Sequence, residues 1–167
     1  ARFAGTRVPT LSEVLATIPE GKRLFIEIKC GEEILPELKR DLAAAKRPSA
    51  QTVLISFSAK VMAAAEKQFP ELETYWIVDI KPNPKTGKPA ARAEDLIRDA
   101  KAAGVDGLDL SGHETIDRVY ATKIRDAGLK LAVWTVNDPK LGRMMIDAGV
   151  QGLTTDRPGW MREQLLK

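Results

Sequence analysis

The hexapeptide Ala103-Gly-Val-Asp-Gly-Leu108 recurs almost unchanged as Ala148-Gly-Val-Gln-Gly-Leu153. Each copy ends an amphipathic helical run on a glycine, the residue that accepts the left-handed backbone of a helix C-cap. Each then enters a short apolar run of strand length. A helix closed by glycine and feeding a buried strand is half of a βα unit, and its repetition calls for a parallel sheet, because only a crossover helix returns the chain in the same direction.

Working outward from the first copy, the preceding helix covers about 94–103 and the strand 105–111. Ile116, Val119, Tyr120 and Ile124 mark another helix, ended by Gly128 and followed by a strand at 129–136. Asp138 reads as an N-cap with Pro139 at the first helical position. Leu141, Met144, Met145 and Ala148 carry that helix's stripe into the strand 150–156, and a terminal helix holds Met161, Leu165 and Leu166.

Toward the N-terminus lie a strand at 74–80, a helix capped by Ser58 and stopped by Pro70, and a strand at 53–57. Before these come a helix from Glu32 to Arg47, with Ile34, Leu35, Leu38, Leu42 and Ala45 on one side, and a strand at 23–29. Thr10-Leu-Ser-Glu13 is a capping-box signature opening a helix through Leu11, Val14, Leu15 and Ile18. Between the third strand and the helix at 94, the segment Lys81-Pro-Asn-Pro-Lys-Thr-Gly-Lys-Pro89 admits no regular structure. It reads as a solvated loop whose Lys81, Lys85 and Lys88 are also able to reach an anion.

Composition bounds the function class. At 167 residues, 44% hydrophobic and 29% charged, the chain is one domain's worth of ordinary globular protein. A net charge of +3 leans toward an anionic ligand. No basic run is interleaved with aromatics, so no nucleic-acid partner is expected. The single cysteine, Cys30, excludes an internal disulfide and a Cys-rich zinc site. No stretch approaches the ~18 apolar residues of a membrane span. No signal peptide opens the chain, and Ala1-Arg2-Phe3-Ala4-Gly5 reads as a loop.

Charge inside the first strand supplies the functional lead. In Arg23-Leu-Phe-Ile-Glu-Ile-Lys29 the strand is apolar except at its end, where Glu27 and Lys29 stand two apart and share a face. Charges at a buried strand end are costly unless they pair or bind something charged. A metal at Glu27 with an anion at Lys29 satisfies that demand, and so does a mutual ion pair. Asp106, Asp109 and Asp156 are further carboxylates near strand ends. Facing Glu27, they would enlarge a metal site; the simpler expectation makes Asp109 a capping or helix-entry carboxylate, and has Asp156 order the last loop.

Two parallel architectures fit the alternation. A doubly wound sheet would usually carry a glycine-rich phosphate fingerprint after its first strand, and none is present. A (β/α)₈ TIM barrel needs eight units and about 250 residues, and six units are legible here.

Five segments together decide between them: Val8-Pro-Thr-Leu-Ser-Glu-Val-Leu15, Phe25-Ile-Glu-Ile-Lys29, Ile55-Ser-Phe57, Val133-Trp-Thr-Val-Asn137 and Gly152-Leu-Thr-Thr-Asp-Arg-Pro158. In this order the chain resembles the C-terminal two thirds of a glycerophosphodiester phosphodiesterase. The resemblance implies an α/β (β/α)₈ TIM barrel whose first two βα units are missing, residues 1–167 being one N-terminally incomplete domain. It implies a divalent-metal hydrolase, with Mg²⁺ or Ca²⁺ as cofactor, that converts a small glycerophosphodiester to glycerol 3-phosphate and an alcohol such as choline or ethanolamine. By the same resemblance Glu27 is a metal ligand, Lys29 faces the phosphate, and Trp134 and Phe57 line the pocket.

The departures are equally specific. The family's His-Arg-Gly motif, further acidic ligands and second histidine belong to strands this chain does not contain, so no catalytic residue of the family is expected within it. The one histidine, His113, matches neither family histidine and reads as a loop residue. Two readings follow: a phosphodiesterase barrel completed by a further segment or a second chain, or an incomplete barrel that binds an anion or a protein partner through its open edges.

Overall fold

A computed structural model describes residues 4–87 and 90–166. Residues 1–3 of the expected opening loop, and Lys88 and Pro89 of the proline-rich segment, lie outside the described residues. Strands β1 (Leu24–Glu27), β2 (Thr52–Ser56), β3 (Glu73–Val78), β4 (Gly107–Ser111), β5 (Lys130–Trp134) and β6 (Gly152–Leu153) pair in sequential order. Every pair is parallel. Helix α1 (Leu11–Thr17) precedes β1, and α2 (Leu35–Ala45), α3 (Ala59–Gln68), α4 (Ala93–Ala103), α5 (Arg118–Asp126), α6 (Pro139–Ala148) and α7 (Pro158–Leu165) each follow a strand. The result is six βα units in a sheet curled as half a barrel. Strands β1 and β6 each have one strand neighbour among the described residues.

Local chemistry places the helices. At α1 the Thr10 hydroxyl accepts the Glu13 amide at 3.3 Å and the Glu13 carboxylate accepts the Thr10 amide at 2.8 Å, closing the capping box. Ser58 and Asp138 cap α3 and α6 by accepting the Val61 and Lys140 amides. The two repeat glycines, Gly104 and Gly149, take φ of 79° and 91°, which a side chain would strain.

The strand register sorts side chains onto two faces. Leu54, Leu108, Leu110, Leu131 and Val133 face outward into one core with Met62, Leu96, Ile124 and Met145 of the helices. Full burial of each such side chain favours folding by about 1.5–3 kcal/mol. The opposite face forms its own cluster of Val53, Tyr75 and Ala132, with Ile55 against it. The pairings Ile55 to Tyr75, Tyr75 to Gly107, and Ile77 to Asp109 to Ala132 keep that face continuous around the curl. At the N-terminal end of the strands the inner face closes on charge: the Glu73 carboxylate takes both Arg23 and Lys130, and the Tyr75 hydroxyl donates to it at 3.2 Å. Gly107 leaves room for this. A Cβ there would sit 2.9 Å from the Lys130 carbonyl oxygen and 3.1 Å from the Tyr75 ring.

The ladders are shorter than the apolar runs. Strand β1 ends at Glu27; the Ile28 amide still donates to the Ile55 carbonyl at 2.8 Å, but Lys29 lies beyond the strand. Strand β6 has two residues, and Thr154 continues it irregularly, donating to Val133 and accepting from Val136, both at 2.8 Å. The second helix opens as a 3₁₀ turn over Glu32–Ile34. Helix α5 starts after Asp117, whose carboxylate accepts the Tyr120 amide at 2.7 Å, leaving Ile116 as a buried residue ahead of it.

Candidate functional site

At the C-terminal end of the strands the inner face opens into a cavity of about 350 Å³. Its lining brings together Glu27 and Lys29 from β1 and its end, Phe57 after β2, Asp109 from β4 and Trp134 from β5, with Thr154 beyond β6. The four residues expected at the site from the sequence thus line one cavity, although they come from three separate stretches of the chain.

Glu27 is partly covered and Lys29 is 78% exposed, and the ammonium lies 3.3 Å from the Glu27 carboxylate. The mutual ion pair therefore forms, while both side chains still line the cavity. Trp134 is held by its indole N–H, which donates to the Asp109 carbonyl oxygen at 3.0 Å. Its ring meets Phe57 edge-on, centroids 5.4 Å apart at 81°. The Phe57 backbone is fixed in turn, its carbonyl accepting the Trp76 indole N–H at 3.1 Å.

Asp109 corrects a sequence expectation. It caps nothing: it sits inside β4, is 4% exposed, and its Oδ1 has no hydrogen-bond partner among the described residues. Burial, and then the like charge of Glu27, push its carboxyl up to about 6. The signal was in the alternation. Leu108 and Leu110 face the helices, so the residue between them must face the barrel interior.

The other candidates lie elsewhere. Asp106 accepts the Thr74 amide at 2.9 Å, tying the loop before β4 to β3. Asp156 accepts the Asn137 side-chain amide at 2.6 Å, and Asn137 in turn accepts the Asp156 amide at 3.0 Å and the Thr155 hydroxyl at 2.9 Å, so the loops after β5 and β6 are knotted together. His113 stands in the turn after β4, its Nδ1 accepting the Thr115 amide at 3.2 Å, and is not part of the cavity lining. Phe25, 42% exposed on the same inner face, joins the lining without having been singled out in the sequence.

Among the described residues no three acidic, histidine or cysteine side chains converge as a metal cluster. Glu27 supplies the kind of oxygen donor that a hard divalent cation of the Mg²⁺ kind takes, one or two carboxylates with water and phosphate oxygens completing the shell. No helix of the described residues is long and apolar enough to cross a membrane.

The chain is 26% identical over 165 residues to a glycerophosphodiester phosphodiesterase of Bacillus subtilis, covering 94% of this chain and 54% of that protein. It thus spans about half the length of that relative. A glycerophosphodiester phosphodiesterase of Parabacteroides distasonis superposes with a TM-score of 0.71 at 25% identity, over 95% of this chain and 64% of the other. An Oleispira antarctica phosphodiesterase, solved in complex with the product sn-glycerol-3-phosphate, gives 0.77 at 21% identity over 95% and 62%. With the profile of the glycerophosphoryl diester phosphodiesterase family matching residues 1–160, the chain belongs to that family.

Proposed function

We propose that the protein is a metal-dependent phosphodiester hydrolase that cleaves glycerophosphodiesters to glycerol 3-phosphate and an alcohol. The observation that carries this reading is the meeting of Glu27, Lys29, Phe57 and Trp134 around one cavity at the C-terminal end of the strands, where barrel enzymes hold their sites. Membership of the family supports it.

Hydrolysis of a phosphodiester adds water across a P–O bond, placing the hydroxyl on phosphorus and the proton on the leaving alcohol. The chain's own residues serve the first half of that demand. Lys29, long, exposed and paired with Glu27, swings onto a nonbridging phosphate oxygen. Trp134 and Phe57, braced against each other, wall the substrate's apolar surface and exclude water from that side. Glu27 would hold a divalent cation, Mg²⁺ or Ca²⁺, which when bound neutralises phosphate charge and lowers the pKa of a bound water. The acid–base histidines implied by the resemblance belong to strands outside this chain, so in this reading a further segment or a second chain completes the barrel.

Incubating the protein as its gene encodes it with glycerophosphocholine and glycerophosphoethanolamine, with Mg²⁺, Ca²⁺ or Mn²⁺, should release glycerol 3-phosphate. No product with any of the three metals would overturn the proposal. Tight binding of sn-glycerol 3-phosphate without turnover would favour the second reading, an incomplete barrel acting as an anion- or partner-binding module. That reading draws on the edges of the sheet at β1 and β6, each with one strand neighbour among the described residues.

A further inference from the structure

We propose that Asp109 is a specificity-determining residue of this cavity: its carboxylate accepts a hydrogen bond from an O–H or N–H carried by a substituent of the phosphodiester. The inference rests on the phosphodiesterase reading and deepens it. Asp109 is 4% exposed, lines the cavity beside Glu27 and Trp134, and has an Oδ1 with no partner among the described residues. Buried polar atoms are almost always satisfied, and Asp109 carries its orphan oxygen on a side chain that lines the cavity.

The chemistry narrows the occupant. An ionised carboxylate only accepts. A phosphate oxygen also only accepts and carries like charge, so the phosphate is not what meets Asp109; Lys29, at the exposed mouth, takes that part. Lys29, the cation of the lining, pairs with Glu27 at 3.3 Å and does not bond the Asp109 Oδ1. What remains is a donor-bearing arm of the substrate. The glycerol hydroxyls and a primary ammonium headgroup both qualify, whereas a trimethylammonium headgroup has no N–H. Trp134 is bound to the Asp109 carbonyl through its indole N–H, so aromatic wall and acceptor are positioned together. Sites built around a buried hydrogen-bonding group discriminate strongly against ligands lacking its partner.

The test compares wild type, Asp109→Asn and Asp109→Leu in the protein as its gene encodes it. The substrates are glycerophosphoethanolamine, glycerophosphocholine and bis(p-nitrophenyl) phosphate, which has no donor. The ratio of kcat/KM for a glycerophosphodiester to that for bis(p-nitrophenyl) phosphate should fall about tenfold or more in Asp109→Leu, and less in Asp109→Asn. A fall confined to the ethanolamine substrate assigns the ammonium, and an equal fall for both assigns the glycerol hydroxyls. An unchanged ratio in both variants overturns the proposal.

A binding readout separates this from the hydrolase reading. In ¹³C-aspartate-labelled wild type, the Asp109 carboxyl signal, identified by its loss in Asp109→Asn, should move with sn-glycerol 3-phosphate or ethanolamine and stay in place with Mg²⁺ alone. Movement with Mg²⁺ alone would make Asp109 a metal ligand, and no movement with either ligand would leave it a structural group; both outcomes refute the proposal. Movement in a protein that hydrolyses nothing would refute the hydrolase reading and keep the recognition role of Asp109.

Discussion

Replacing Asp109 by asparagine should make the protein gain stability relative to wild type as pH rises. An ordinary aspartate titrates at 3.8, and Asp109 is held up at about 6, by burial first and by the Glu27 charge second. The folded state therefore binds the Asp109 proton more tightly than the unfolded chain does. The Asp109 contribution to stability is greatest below pH 3.8 and is lost as pH climbs through about 6. At about 1.4 kcal/mol per pH unit, the full loss is about 3 kcal/mol. Integrated between the two protonation curves, the loss is about 1 kcal/mol at about pH 4.5 and about 3 kcal/mol at about pH 7.5. Asparagine does not titrate, so the variant lacks this loss, and whatever its amide gains or loses in the site is the same at both pH values. Urea unfolding of both proteins should thus show the stability difference moving by about 2 kcal/mol toward the variant across that interval. A difference constant to within about 0.5 kcal/mol, or moving the other way, would refute the assignment of Asp109 as a buried acid facing Glu27.

Three further outcomes follow from the packing. Glu27→Gln should weaken Mn²⁺ binding, read by calorimetry, by at least about tenfold, and unaltered affinity would remove Glu27 from the metal site. Gly107→Ala should destabilise the fold by about 1–3 kcal/mol in urea unfolding, because the new methyl meets the Lys130 carbonyl at 2.9 Å; a neutral result would mean that β4 and β5 part there freely. At Glu73 burial pushes the carboxyl up, but hydrogen bonds from Lys130 and Arg23 outweigh it and hold the carboxyl below the usual glutamate range. Its stabilisation is then present above that range and lost as pH falls through its lowered value, so Glu73→Gln should flatten the acid limb of the stability curve, measured by thermal unfolding against pH.

The architecture was legible because it is written in local chemistry. Thr10, Ser58 and Asp138 cap the helices their sequence positions announce, and Gly104 and Gly149 end them. Each acts through atoms within a few residues, so no tertiary knowledge is needed. Strand ends were less legible, because an apolar run continues past the last ladder bond: Lys29 belongs to the run but not to β1. Asp109 was misjudged for a different reason. Whether a carboxylate in a strand caps a neighbour or points into a cavity depends on which face the helices cover. The alternation of Leu108 and Leu110 already turned Asp109 away from the helices; what the sequence did not show was the cavity on that face. Lys29 and Glu27 form the mutual ion pair that their spacing allowed, and both line the cavity.

The cluster of Arg23, Glu73 and Lys130 has a reach beyond its own end of the sheet. It draws together strands β3 and β5 and the residue entering β1, like a cord pulled across alternate staves. Two of those staves carry Glu27 and Trp134 at their opposite ends. The carboxylate and the indole that line the cavity thus stand on strands tied together at their far ends. Slackening the cord at Glu73 would loosen the strands beneath the cavity without touching a single residue that lines it.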